Sequence, residues 1–242
     1  MIPKIFIILA CLFTLSVQAA KPLNVVLILV DDLGWMDLSC QGSRYFETPH
    51  IDRLAAEGMR FTDAYAACAV CSPTRAAVQT GRYPGRLGVT DWIRSRFQGG
   101  TIPTDKKNPS GFSGGKRKFL VPKNALWMES EEVTIAELLK PAGYVTCHIG
   151  KWHLGADDWY PQKQGYDFNY GGCDYGQPPS YFDPFNQPKH RHAMIRGGIP
   201  HLPGRKPGQY LSDREAEEAV AFIEKHKDKP FFLNMDNYAV HT

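Results

Sequence analysis

A cysteine directly precedes a predicted helix in this sequence, at a position suited to an anion. Residues 71–75 read CSPTR, and Ser72 with Pro73 predicts that a helix begins right after Cys71. A helix N-terminus attracts anions through its free N–H groups and its dipole. Arg75 adds a planar cationic fork suited to a tetrahedral oxyanion. We therefore expect a sulfate or phosphate group beside Cys71, where a thiolate nucleophile is one option.

The spacing of Cys68 and Cys71 leaves two other uses of these cysteines open. A C-x-x-C pair occurs in zinc sites and in redox pairs. A zinc site of this kind usually needs a second such pair, and the sequence has none. A disulfide or a redox pair is the other alternative.

Two adjacent carboxylates, Asp31 and Asp32, follow an apolar run. Residues 24–30 are rich in Val, Ile and Leu and predict a buried central strand of a parallel sheet. Ligands of open α/β sheets bind beyond the carboxyl ends of the strands. Neighbouring carboxylates repel each other unless a cation or a shared proton intervenes, and a hard divalent cation suits them. A helix cap or a turn is an equally good explanation.

Two further predicted strands end next to candidate site residues. Residues 144–149 lead into Lys151 and His153, which would point to the same side of an extended chain. A surface lysine and a structural histidine are the alternative for this pair. His241 follows a predicted strand at residues 230–235, which is weak evidence when taken alone.

Helical patterns alternate with these strands, which predicts a layered α/β fold. Helix starts are expected at Thr48, at Ser72, at a Thr134–Glu137 capping box and at a Ser212–Glu215 capping box. Residues 94–123 and 156–210 are too long for plain connections. We interpret them as insertions near the site or on its rim.

The overall composition excludes some classes of function. The length of 242 residues suits one domain. A formal net charge of +3 is too small to indicate nucleic acid or a membrane surface as partner.

The first 19 residues have the pattern of a secretory signal peptide, with a basic residue, an apolar run and small residues before the cut. The apolar run, residues 5–17, is shorter than the roughly 20 residues of a membrane helix, and a lipid anchor at Cys11 is a second alternative. We expect an exported protein, periplasmic or secreted, with its catalytic domain at residues 20–242 and no membrane span after cleavage. The five remaining cysteines are an odd number, so at least one should be unpaired.

Four segments resemble motifs of the formylglycine-dependent sulfatases, in the order of that family. Residues 71–75 with 80–82 resemble C-x-P-S/A/T-R…T-G-R, and residues 143–153 resemble G-Y-x-T…G-K-W-H. Residues 31–35 resemble the family's first metal-binding strand end, and residues 238–242 its later histidine segment. The resemblance covers nearly all of residues 24–242. It implies a fold of the alkaline-phosphatase superfamily, a mostly parallel sheet with helices on both faces.

The resemblance also implies what residue 71 and the metal ligands do. Cys71 would be oxidised to formylglycine by a maturation enzyme and hydrated to a diol. Asp31 and Asp32 would bind one calcium ion, together with an oxygen of residue 71.

Four more roles follow from the same resemblance. Arg75 would hold the modified residue 71, Lys151 would contact the sulfate and His153 would hydrogen-bond the diol. His241 would act as the acid at the leaving oxygen. Positive groups steady the charge on the sulfate oxygens, a metal favours an attacking alkoxide and a histidine protonates the departing oxygen.

The family resemblance leaves the fold incomplete at its C-terminal side. Full sulfatases continue with further calcium ligands, another lysine and a smaller domain. We expect an exposed sheet edge, and residues 1–242 by themselves to be inactive and poorly stable. Gln79 replaces a usual aliphatic residue and is expected to matter little.

The predicted function is hydrolysis of sulfate esters, of a sulfated carbohydrate or an aryl sulfate. One alternative is a phosphate or phosphonate ester hydrolase of the same superfamily. The other is an inactive, truncated protein that only binds anions. Basic residues at 106, 107 and 116–118 would either grip a sulfated polysaccharide or form a solvated loop.

Overall fold

The computed structural model describes residues 22–115 and 118–241. The predicted signal peptide, residues 1–19, lies outside the described residues. The described residues form six strands: Val25–Val30 (β1), Phe112–Ser113 (β2), Val121–Pro122 (β3), Val145–Gly150 (β4), Phe168–Tyr170 (β5) and Phe231–Asn237 (β6). Four of them form a parallel sheet in the order β1–β6–β4–β5, and β2 with β3 forms a separate antiparallel pair.

Helices connect these strands. They are Pro49–Glu57 (α1), Cys71–Thr80 (α2), Pro84–Leu87 (α3), Ile135–Leu139 (α4), Ala193–Gly197 (α5) and Leu211–His226 (α6). Within the described ranges, no helix is long and apolar enough to cross a membrane.

Side chains alternate between the two faces of the sheet, and each face packs against helices. Phe231 and Leu233 of β6 share a buried cluster with Phe222 of α6. Phe232, between them, packs on the other face with Ala76 of α2 and other buried side chains. Burying one such aromatic side chain contributes about 2 kcal/mol. The predicted α/β fold, with helices on both faces of a parallel sheet, is confirmed.

The register of the sheet brings the ends of three strands together. Asp236 of β6 lies opposite Leu29 of β1 and opposite Gly150 of β4. The backbone then joins the segments beyond the strands, since Asp31 N donates to Ala239 O at 3.0 Å. The residues that follow β1, β4 and β6 therefore meet at one edge.

The prediction that residues 24–30 form a buried central strand is wrong. β1 is the edge strand of the sheet, and Val26 and Ile28 are 47% and 55% exposed. An apolar run indicates that a strand is buried, but it does not specify which segments pack against that strand. The expected exposed sheet edge is therefore β1 itself, an aggregation hazard of the kind that edge strands present.

The predicted helix starts are correct in part. Thr134 and Glu137 form the predicted capping box, with Thr134 N donating to Glu137 Oε2 at 2.8 Å. The predicted Ser212–Glu215 box is wrong, because α6 begins at Leu211 and no side chain caps it. Burial of Glu215 takes its carboxylate away from the helix end. α2 begins at Cys71 itself rather than after it.

The two insertions lie beside the site, as predicted. Arg96 joins them, since its guanidinium pairs with Asp157 at 2.8 Å and with Asp174 at 3.2 Å. Of the basic residues expected on the rim, Lys106 pairs with Asp158. Residues 116 and 117 lie outside the described residues.

Candidate functional site

One cleft of about 320 Å³ opens at the edge of the sheet where the strand ends meet. We call it the site cleft, and its lining consists of Asp32, Ala69, Val70, Cys71, Trp92, Gln98, His153, Gly176, Gln177 and His241. An adjoining cleft of about 420 Å³ is lined by Asp31, Asp32, Cys71 and Arg75 among others. Asp32 and Cys71 border both, so six of the seven predicted site residues line these two clefts.

Cys71 is the first residue of α2 and is half-buried. Its position places the side chain beside the free N–H groups of the first helical turn, which favour a negative charge. All five cysteines in the described ranges are free. The alternative of a Cys68–Cys71 disulfide is therefore not found in this structure.

Arg75 lies fully inside the protein and connects the three strand ends. Its Nη2 contacts Asp31 Oδ1 at 3.2 Å, and its Nη1 contacts Asp236 Oδ2 at 3.1 Å. Nη1 also donates to Lys151 O at 2.7 Å. A planar guanidinium makes such divided contacts without losing its charge. Arg75 is thus held by Asp31, Asp236 and the Lys151 carbonyl at the base of the two clefts, and it is not a free cation in either cleft.

Lys151 is fully buried, and its ammonium group donates to Asp31 Oδ2. Burial lowers the pKa of Lys151, the neighbouring charge of Arg75 lowers it further, and Asp31 opposes both. Lys151, the predicted sulfate-binding lysine, therefore pairs with the Asp31 carboxylate and does not line the site cleft. Asp31 receives two cations, and Asp236 pairs with Arg75, so two carboxylates balance the two buried cations.

Asp31, Asp32 and His241 could share a metal ion, because one donor atom from each lies within 4.8 Å of the others. Calcium takes six to eight oxygen ligands, and the two carboxylates are donors of that kind. The His241 imidazole is not, since nitrogen suits softer metals. Its Nε2 lies 3.8 Å from Asp32 Oδ2. The residues present therefore fit calcium as a partial ligand set, which needs further oxygens.

His153 is buried and neutral, with a defined tautomer. Its Nε2 lies 2.6 Å from Ile93 O, and a carbonyl only accepts, so Nε2 carries the proton. Burial lowers the pKa of His153 well below its usual value, and the charges of Lys151 and Arg75 add to this. Its Nδ1 has no partner. A residue of the site cleft thus offers an unpaired acceptor.

Ser72 is a residue of the candidate site whose contacts the sequence did not indicate. It was expected to mark the start of a helix, but its side chain is completely buried. Its Oγ donates to His153 O at 2.9 Å and accepts from Ile93 N at 3.0 Å. Ser72 therefore holds His153 and Ile93 in fixed positions beside Cys71.

Asp236 is a second such residue. It lies in β6, is 1% exposed and supports Arg75 from below. His148 Nε2 lies 3.7 Å from its Oδ2. The predicted strand ended at residue 235, so a charged residue at a strand's carboxyl end was the signal that could have identified Asp236. Gln79, which was expected to matter little, is buried and accepts from Tyr166 Oη at 2.7 Å.

Glu215 of α6 is a buried carboxyl group beneath the site, and it gives a test by pH. Burial raises its pKa to about 7, against a usual value of 4.5, although Asn237 Nδ2 donates to Oε2 at 2.7 Å. The folded state therefore binds the proton more tightly than the unfolded state. The resulting stability is complete below pH 4.5 and is lost as pH rises through 7.

We expect Glu215→Gln to stabilise the protein at pH 8, by on the order of 3 kcal/mol at most, because glutamine cannot ionise. At pH 5 the change should be small, since Glu215 is then largely protonated. Thermal unfolding at both pH values measures this, with Glu217→Gln, an exposed site on the same helix, as control. An equal shift in Tm at both pH values would contradict the assigned pKa.

Known proteins are similar in sequence to this chain. A sequence model of the family named Sulfatase matches residues 23–242. N-acetylgalactosamine-6-sulfatase of Mus musculus is 35% identical over 247 residues, which cover 99% of this chain and 44% of the mouse protein.

Solved structures agree with this match. The crystal structure of Ps i-CgsB in complex with k-i-k-neocarrahexaose is similar with a TM-score of 0.65 and 32% identity, over 92% of this chain and 46% of that chain. A structure in complex with its substrate D-glucosamine-2-N,6-O-disulfate gives a TM-score of 0.59 and 27% identity, over 91% and 35% of the two chains. This chain therefore spans less than half the length of these relatives.

Proposed function

Because the chain belongs to the sulfatase family, we propose that the protein hydrolyses sulfate esters in the site cleft, with residue 71 carrying the nucleophile. One observation carries this proposal. Cys71 begins a helix and lines a single cleft together with Asp32, His153 and His241. A helix N-terminus, an acidic pair at a strand end and two imidazoles are what hydrolysis of an anionic ester requires.

Two groups that the family implies fit the residues present. Formylglycine made from Cys71 would supply, when hydrated, an oxygen nucleophile and a second hydroxyl through which sulfate is released. Calcium held by Asp31 and Asp32 would supply positive charge near that oxygen. A maturation enzyme of the host would have to oxidise Cys71.

His153 is suited to take a proton from a hydroxyl group on residue 71. Its neutral ring has a free Nδ1, and its Nε2–H is engaged by Ile93 O. Burial keeps the pKa of His153 low, which leaves Nδ1 unprotonated and able to accept a proton but also makes the ring a weak base.

His241 is suited to give a proton to the leaving oxygen. It is 24% exposed at the site cleft, so substrate and solvent can reach its ring. Asp32 lies close enough to orient the imidazole. Arg75 and Lys151 both pair with Asp31, so they would position that proposed calcium ligand beside residue 71.

A sulfated carbohydrate is the proposed substrate class. Support comes from relatives whose names or bound ligands are sulfated or oligomeric sugars. We further propose that the protein is exported, periplasmic or secreted, since residues 1–19 have a signal pattern.

Two measurements on protein purified from its native host test the proposal. We expect faster hydrolysis of 4-nitrophenyl sulfate than of 4-nitrophenyl phosphate, and an aldehyde mass for the peptide that contains Cys71. Faster phosphate hydrolysis would favour the phosphate ester alternative. An unmodified thiol without turnover of either ester would leave a binding protein.

A further inference from the structure

A third cleft, which we call the side cleft, shares Trp92 with the site cleft. Its volume is about 230 Å³, and it is lined by Asp91, Trp92, Arg94, Gly99, Gly100, Thr101, Asn124, Ala125 and Leu126. Gln98 borders the site cleft, and Gly99 and Gly100 border the side cleft. One stretch of chain therefore borders both clefts, and Trp92 lies at their boundary, which places the side cleft next to a ligand seated at Cys71.

Trp92 is held in position from two sides. Asn124 Nδ2 donates to Trp92 O at 3.1 Å. On the other side, Ile93 N donates to Ser72 Oγ at 3.0 Å, and Ile93 O accepts from His153 Nε2 at 2.6 Å. The backbone of Trp92 is thus fixed next to the residues that position the His153 imidazole. A fixed backbone limits the positions open to the Trp92 side chain, which reduces the entropy lost on binding.

Arg94 brings a positive charge to the side cleft. Its guanidinium carbon lies 5.4 Å from the centroid of the Trp92 ring, within the range of a cation–π contact. Arg94 is exposed, and among the described residues no carboxylate lies within ion-pair distance of it. Its charge is therefore available to an anion.

Asp91 is the carboxylate of the side cleft. Its Oδ1 accepts from Trp92 N at 2.8 Å, which leaves Oδ2 able to accept from a hydroxyl group. A ligand that suits all three side chains has an apolar ring face, a hydroxyl donor and an anionic substituent. An acidic or sulfated sugar unit has these features, and a plain aryl group does not.

We propose that the side cleft binds a second, anionic sugar unit of the substrate, next to the unit whose sulfate ester lies at Cys71. This proposal rests on the sulfatase activity proposed above. The sugar ring packs on the face of Trp92 that Arg94 does not cover, its sulfate or carboxylate pairs with Arg94 at the ring edge, and a hydroxyl donates to Asp91. The substrate is accordingly a sulfated oligosaccharide rather than a sulfated monosaccharide.

Calorimetric binding to the protein from its native host tests this. The probes are heparin and chondroitin sulfate hexasaccharides, compared with D-glucosamine-2-N,6-O-disulfate and N-acetylgalactosamine-6-sulfate. We expect at least one hexasaccharide to bind more than about tenfold tighter than its monosaccharide, because one charged contact and one packed ring each contribute that much.

Variants of the side cleft test whether the tighter binding of the hexasaccharide arises there. Arg94→Gln and Trp92→Ala should each weaken hexasaccharide binding by about tenfold more than monosaccharide binding. Trp92→Phe should restore most of the loss, because it keeps an aromatic face. Arg53→Gln, an exposed arginine of α1, is the control and should change neither affinity.

Two results would overturn the proposal: no hexasaccharide binding more tightly than its monosaccharide, or an Arg94→Gln variant that behaves like Arg53→Gln. Binding is measured on a Cys71→Ala background, which lacks the proposed nucleophile, so it does not depend on turnover. Hydrolysis of 4-nitrophenyl sulfate tests that activity separately, and a failure of one is distinguishable from a failure of the other.

Discussion

Replacing Cys71 with alanine should lower kcat for 4-nitrophenyl sulfate by at least about a thousandfold, since loss of a hydrolase nucleophile commonly costs that much or more. The fold should persist, because alanine favours a helix and the buried contacts of Ser72 and Arg75 are untouched. Sulfate release measures the effect, and circular dichroism of the variant checks the fold.

Cys68→Ala is the matched control, because it makes the same chemical change three residues earlier. Thr74 Oγ1 donates to the backbone O of Cys68 at 2.6 Å, and alanine keeps that contact. We expect kcat to stay within about twofold of the unchanged protein. A loss as large as that of Cys71→Ala would instead indicate that the two cysteines act as a pair.

His241→Ala should lower kcat by about a hundredfold or more, because a positioned general acid contributes that much to a proton transfer. The effect should depend on the leaving group. A 4-nitrophenolate leaves without a proton, whereas the alkoxide of a sugar needs one. We therefore expect a larger loss on a sulfated sugar than on 4-nitrophenyl sulfate.

His50→Ala, an exposed histidine of α1, serves as the control for this comparison. Near-normal turnover of both substrates by His241→Ala would refute the acid role. An equal loss on both would show that His241 binds or orients the substrate instead of protonating it.

Local sequence was sufficient to place the site at one edge of the sheet. Each strand preceding Asp31, Lys151 and His241 was visible as an apolar run, and parallel strands end at the same edge. The helix after Cys71 was visible because Ser72 and Pro73 are strong signals for a helix start. These inferences need only short segments and the rule for parallel sheets.

The partners of the buried charges could not be predicted in this way. Lys151 contacts Asp31, and Arg75 contacts Asp236, across 120 and 161 positions of sequence. Such pairs depend on the packing of α2 against three strand ends rather than on local pattern. β1 was misplaced for a related reason, since its exposure depends on which segments cover it.

The burial around Cys71 sets an order of events. Ser72, Pro73 and Arg75 are all inside the folded protein, and Cys71 is already in the first helical turn. A maturation enzyme that recognised the side chains of Ser72, Pro73 or Arg75 would find them covered in the folded protein. For such an enzyme, oxidation of the thiol would have to precede folding.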